Sequence, residues 1–171
     1  MDRPIQEAQQ YLFDKLKAKW KLSSEQYDCY GRCYRNQSED SGYLAEVFTK
    51  DLDYREVYVN DNVVVTSFFG VGEQSKYNGQ FKVPVHLVFW VDLKKLYPTI
   101  EHRADEEVRM AVFDVVKKLG IETTEIEIIL GIDNVLKEYS GTRRTLGLQF
   151  RDMHPLHCFR VNFNIDYINN C

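Results

Sequence analysis

The sequence predicts an α+β domain, a mostly antiparallel β-sheet with a long hairpin and two helices packed on one of its faces. Three observations predict it. Apolar residues recur every three or four positions in two stretches, and alternate at period two in others rich in Val, Ile, Phe and Tyr. No repeat, low-complexity tract or Pro/Gly-rich linker interrupts the 171 residues, so they read as one domain, 1–171. The elements occur in the order helix, long connection, β-hairpin, helix, strand, strand, which fits helices laid on one side of an antiparallel sheet.

The first helix is expected over about Pro4–Lys21. Ile5, Ala8, Leu12, Leu16 and Trp20 share one face, and Pro4 suits a first turn because its missing N–H is unneeded there. Lys15, Lys17, Lys19 and Lys21 favour the C-terminal end of the helix dipole. From Ser23 to Asp53 no period persists. The stretch reads as a long irregular insertion with one short strand near Tyr43–Phe48, and its many Tyr residues mark it as an interaction element.

Two strands are expected next, at roughly Glu56–Phe69 and Gln80–Val91. Asn60-Asp61-Asn62 breaks the first by a turn or bulge. In the second, Phe81, Val83, Val85, Leu87, Phe89 and Val91 share one face, while Lys82, Pro84 and His86 lie on a wet one. Pro84 places the start of that strand at a sheet edge or a bulge. The loop Gly70–Gly79 joins the pair, with Asn78-Gly79 supplying the positive φ values a tight turn requires.

The second helix is expected over about Arg103–Leu119, with Val108, Ala111, Val112, Val115 and Leu119 as its apolar stripe. Acidic residues stand at its start, lysines at its end, and Gly120 is its stop. A strand (Glu125–Leu130) and a helical turn (Ile132–Tyr139, stopped by Gly141) follow, then a polar segment with Arg143 and Arg144. The last strand alternates Phe159, Val161, Phe163, Ile165 and Tyr167 with Arg160, Asn162, Asn164 and Asp166, one face for the core and one for water.

Composition narrows the function. With 44% hydrophobic and 28% charged residues the chain is ordinarily globular, and a net charge of −4 argues against a dominant nucleic-acid-binding field. No apolar run reaches the length of a membrane span, and Asp2 and Arg3 open a terminus without a signal core. Synthesis in the cytosol follows, with Cys29, Cys33, Cys158 and Cys171 as free thiols.

Catalytic and cofactor motifs are mostly missing. The pair Gly70-x-Gly72 is followed by neither Gly-Lys-Ser/Thr nor a helix start, so it is no phosphate loop. Cys29-x3-Cys33 with His154, His157 and Cys158 is the best metal-like set. Its first spacing is unusual for zinc, and buried thiols beside surface histidines explain it more simply. Cys158 and His157 are neighbours in a strand and point to opposite faces, so they form no nucleophilic pair. Nothing favours Cys158 with His86 or His102. Asp105-Glu106-Glu107 reads as a solvated helix start, and Arg143-Arg144 as solvated or paired with a neighbour's acids. No metal, cofactor or catalytic residue is expected, and the chain is expected to be an interaction subunit.

The hairpin segments Asp61–Phe69 and Phe81–Val91, the helix opening His102-Arg-Ala-Asp-Glu-Glu-Val108 and the terminal Phe159–Ile168 occur in an order that resembles tail-terminator (tail-completion) and head–tail connector proteins of tailed bacteriophages. Thr66-Ser-Phe-Phe-Gly70 and Val85-His-Leu-Val-Phe89 are similar to structural proteins of crAss-like gut phages. The resemblance implies a virion ring of six or twelve copies around the DNA channel. It would touch portal, connector or tail rings, carry no catalytic site and let DNA pass without specific binding. The 23–53 insertion departs from that pattern. The expected contact residues are Phe68, Phe69, Glu73, Lys76, Tyr77, Arg143, Arg144 and Tyr167. The rival reading is a small cytosolic module using the Tyr-rich segment as a peptide surface, and a zinc or thiol enzyme stands behind it.

Overall fold

The computed structural model describes residues 3–40, 42–119, 122–146 and 150–168. The elements are α1 (Arg3–Lys19), β1 (Tyr27–Ser38), β2 (Gly42–Phe48), β3 (Tyr54–Glu56), β4 (Val65–Val71), β5 (Ser75–Tyr77), β6 (Gln80–Asp92), α2 (Leu93–Leu96), α3 (Asp105–Lys117), β7 (Glu122–Leu130), α4 (Ile132–Val135), α5 (Ser140–Leu146) and β8 (Leu156–Ile168). The strands form one sheet in the order β3-β2-β1-β4-β6-β8-β7, with β5 paired to β6. Every pairing is antiparallel except β1 with β4. The fold is α+β with a mostly antiparallel sheet.

One face carries α1 and α3. Ile5, Ala8, Leu12 and Leu16 of α1 and Val108, Ala111, Val112 and Val115 of α3 are buried, the stripes their spacing predicts. They cover Val85, Leu87, Phe89 and Val91 of β6 and Phe159, Val161, Phe163 and Ile165 of β8. Gly120 lies outside the described residues.

The opposite face is wet only in part. Phe68, Val88, Trp90 and Cys158 on that face form a second core with Val135, Leu136, Tyr139, Leu146 and Phe150. The helical turn of 132–139 therefore does not end at Gly141. It breaks after Val135, and Ser140 and Gly141 open α5, where Arg143 and Arg144 sit on a helix. This helix completes the sheet. β3 is too short to reach the start of β2, so the N–H groups of Tyr43 and Ala45 donate instead to Ser140 Oγ (3.2 Å) and Thr142 Oγ1 (2.8 Å).

The stretch 23–53 is not irregular. It builds β1, twelve residues long and interior to the sheet, and β2. The period-two pattern of β1 is hidden by Gly31, at φ +76, where the register against β4 shifts between Cys29 and Arg32. The strand expected over 56–69 is two strands, β3 and β4, with 57–64 crossing between them. Asn60 folds that crossing: its Oδ1 accepts from the Asn62 N–H (2.9 Å).

The hairpin is as tight as its Asn-Gly implies, with Asn78 at φ 49 and Gly79 at φ 79, and Tyr77 pairs with Gln80. Part of the presumed loop is strand, however, since β4 continues to Val71 and β5 occupies 75–77. Pro84 lies within an interior strand, not at a sheet edge. It sits where the ladder to β4 ends and that to β5 has not begun, and its carbonyl accepts from the Gly72 N–H (2.8 Å). Its missing N–H thus falls at an interruption. β7 starts at Glu122, three residues early, and is bulged between Thr124 and Glu127. Among the described residues no helix is long and apolar enough to cross a membrane.

Candidate functional site

Along the face opposite the long helices the residues change from apolar to polar. Thr66, Trp90 and Cys158 stand at one end, Phe68, Val88 and Arg160 next, then Gly70, His86 and Asn162, and finally Pro84 and Asn164. The polar half floors an open cleft of about 630 Å³. His86 Nε2 is 2.8 Å from the Tyr139 hydroxyl. Arg160, almost fully buried, is held by the Glu138 carboxylate through both terminal nitrogens, one at 3.0 Å, and donates to the Val135 carbonyl (3.3 Å).

Burial, with the Arg160 charge beside it, lowers the His86 pKa to about 4. Burial likewise raises that of Tyr139. Desolvation opposes ionisation of Glu138, but the Arg160 hydrogen bond and charge outweigh it and hold the carboxyl below its ordinary range. At neutral pH the cleft therefore carries a neutral imidazole, an un-ionised phenol and a closed ion pair. The network clamps the α4–α5 junction to the sheet.

The metal-like set is dispersed. Cys29 and Cys33 are on β1, and Cys158 is on β8 with β4 and β6 between. Among the described residues no three metal-ligating side chains converge. Burial raises all three thiols, Cys29 to about 12.

Of the expected contact residues, Phe68 and Phe69 are completely buried. They are adjacent in an interior strand, so one enters each core and neither is available to a partner. Phe68 packs on Trp90 and Tyr139, and Phe69 lies beneath the helices. Lys76, Tyr77 and Tyr167 do come together at the hairpin. Tyr167 stacks on Phe81 at 5.4 Å and donates to Gln74 Oε1 (3.3 Å), while Lys76 Nζ lies over the Phe81 ring, 5.1 Å from its centre. Tyr77 projects beyond them, 80% exposed. Glu73 is exposed at the cleft mouth. Arg143 is tied to Asp133 (2.6 Å) and Arg144 is exposed, both on α5 and apart from the hairpin.

A second aromatic surface lies on the helix-bearing face, at the margin that α1 and α3 leave uncovered. Tyr34, Phe48 and Tyr54 are 38%, 47% and 44% exposed. Tyr54 meets Tyr34 at 6.1 Å and Phe48 at 5.2 Å, both edge to face, and Arg32 lies over Tyr34 at 4.9 Å. The density of aromatics in 23–53 signals this surface. Its members could be named only once β1, β2 and β3 were known to be neighbours.

No protein-family model, curated protein or solved structure matches the chain.

Proposed function

We propose that the chain is a structural subunit of a tailed-phage virion, assembled into a ring of six or twelve copies at the head–tail connector or tail, around the DNA channel. The aromatic margin carries this reading. Three aromatic rings exposed on a sheet margin, Tyr34 and Phe48 each packed on Tyr54, form a surface suited to being covered by another protein, and Tyr and Arg are enriched in such contacts. The margin faces neighbouring portal-side or tail-side rings. The net charge of −4 supports a channel wall that does not retain DNA.

Light scattering and electron microscopy of the purified chain test the proposal. Closed rings are expected as concentration rises. A protein that stays monomeric at every concentration, and that antibodies do not detect in particles, rejects it in favour of a monomeric binding module.

A further inference from the structure

The open cleft of about 630 Å³ is of a size that takes a ligand, and two of its features address the same chemical group. The first is on its floor. Asn162 and Asn164 stand two residues apart on one face of β8, both half-buried and both lining the cleft. Asn162 Oδ1 accepts from Arg160 Nε (2.5 Å), and Asn164 Nδ2 donates to Glu125 Oε2 (2.6 Å). These bonds leave Asn162 Nδ2 as a donor and Asn164 Oδ1 as an acceptor with no partner among the described residues. The two residues are roughly 6.6 Å apart, the two-residue period of a strand. An extended peptide offers main-chain N–H and C=O groups to one side at that same period.

The second feature is the β1 bank of the cleft. The β1–β4 ladder ends at Cys33 and Gly70, whereas β1 runs on to Ser38 with β2 on one side only. Tyr34 and Arg35, exposed at the cleft, begin this half-paired stretch. Beyond the β2 ladder, the main chain of 34–38 makes no hydrogen bond among the described residues. Another extended segment is what completes a strand edge of this kind. β1 and β8 run in the same direction, so one segment can follow both.

Charge selects no ion here. Arg160 is closed on Glu138 and Lys82 on Glu125. Arg32 and Arg35 on the β1 bank are offset by Glu73 and Glu127 on the rest of the rim. A neutral main chain suits such a cleft better than a phosphate or a carboxylate.

We propose that the cleft binds an extended segment of another protein through its main chain. The segment pairs with the free edge of β1 and exchanges hydrogen bonds with the carboxamides of Asn162 and Asn164. This site does not depend on the ring reading above.

Heptapeptides selected from a random library on the full-length protein, then synthesised, test it. They should shift the side-chain amide resonances of Asn162 and Asn164 and the main-chain amides of 34–38 saturably. Their affinity should change less than about twofold between low and high salt. Asn164→Leu should weaken each peptide about fivefold with unchanged melting, as loss of one hydrogen bond does. Methylating the central amide nitrogens of a peptide should weaken it on the wild-type protein by at least as much. Should Asn164→Leu melt early, the methylated peptides decide alone. A library that yields no binder overturns the proposal. So do peptides that shift only other surfaces, lose affinity about tenfold in salt, or bind equally well when methylated. Whether the wild-type chain forms rings bears on the ring reading alone.

Discussion

Gly70 and His86 lie so close across the β4–β6 ladder that a Cβ on the glycine would stand 2.0 Å from the imidazole Nε2. The imidazole is fixed in turn by the Tyr139 hydroxyl, which would be 2.7 Å from the same Cβ. Gly70→Ala should therefore expel His86 from its place and break its bond to Tyr139. Overpacking of this kind costs roughly 1–3 kcal/mol, read as a lower denaturant midpoint with an unchanged slope.

His86 should also make the fold acid-sensitive. Its pKa falls from an ordinary 6.5 to about 4 on folding, so between those values the unfolded chain binds more protons than the folded one. Stability is complete above pH 6.5 and declines as pH falls towards 4, by about 3 kcal/mol in all for this group. His157, lowered chiefly by burial, adds loss of the same sign. Urea unfolding across this range should show the slope, and His86→Gln should reduce it without abolishing it.

The Arg160–Glu138 pair should respond unequally to loss of either partner. Glu138 keeps a 32% exposed side chain and can be hydrated alone, whereas Arg160 is 6% exposed and cannot. Glu138→Leu strands a buried guanidinium and should cost about 3–5 kcal/mol. Arg160→Met should cost less, and the double variant less than the sum of the two. Equal single costs in a double-mutant cycle would contradict this.

Thr142→Val removes the hydroxyl that completes the buried Ala45 N–H. A loss of roughly 1–3 kcal/mol is expected, with faster hydrogen exchange at the Ala45 amide than at its β6 counterparts.

Phe163→Ala, on the helix-bearing side of β8, should cost roughly 3–5 kcal/mol because the site is 2% exposed. Tyr54→Ala on the margin should leave the melting of the isolated subunit nearly unchanged. If the margin is an assembly face, the same variant should be missing from particles.

Where one physical rule governed a segment, the sequence was readable. Helical stripes of α1 and α3 and the alternation of β8 depend on local spacing alone. β1 was opaque because one left-handed glycine, Gly31, shifts its pairing and mixes the two faces. Phe68 and Phe69 read as contact residues, and nothing local to their strand shows that both of its faces are covered. Phe69 lies beneath the long helices, and Phe68 is buried because α4, α5 and 57–64 build a second core on the other face. Ser140-Gly141 reads as a stop, yet there it starts α5, which takes over the uncompleted edge of β2. Of the candidate site, Tyr77 was legible from its turn. The aromatic margin was not, since Tyr34, Phe48 and Tyr54 meet only when β1, β2 and β3 are neighbours.

The single parallel ladder divides the sheet unequally. β1, β2 and β3 form a three-stranded flap linked to the remaining strands through the β1–β4 ladder; α1 holds its near end, where Phe13 and Trp20 pack on Tyr27, and otherwise α1 and α3 grip the antiparallel part. Such a flap, with α5 fastened to its border, can detach as a cooperative unit at a free energy below that of global unfolding. The margin aromatics would travel with it. A neighbour that covers them would then lock this seam shut, turning the least secure portion of the fold into one stabilised by assembly.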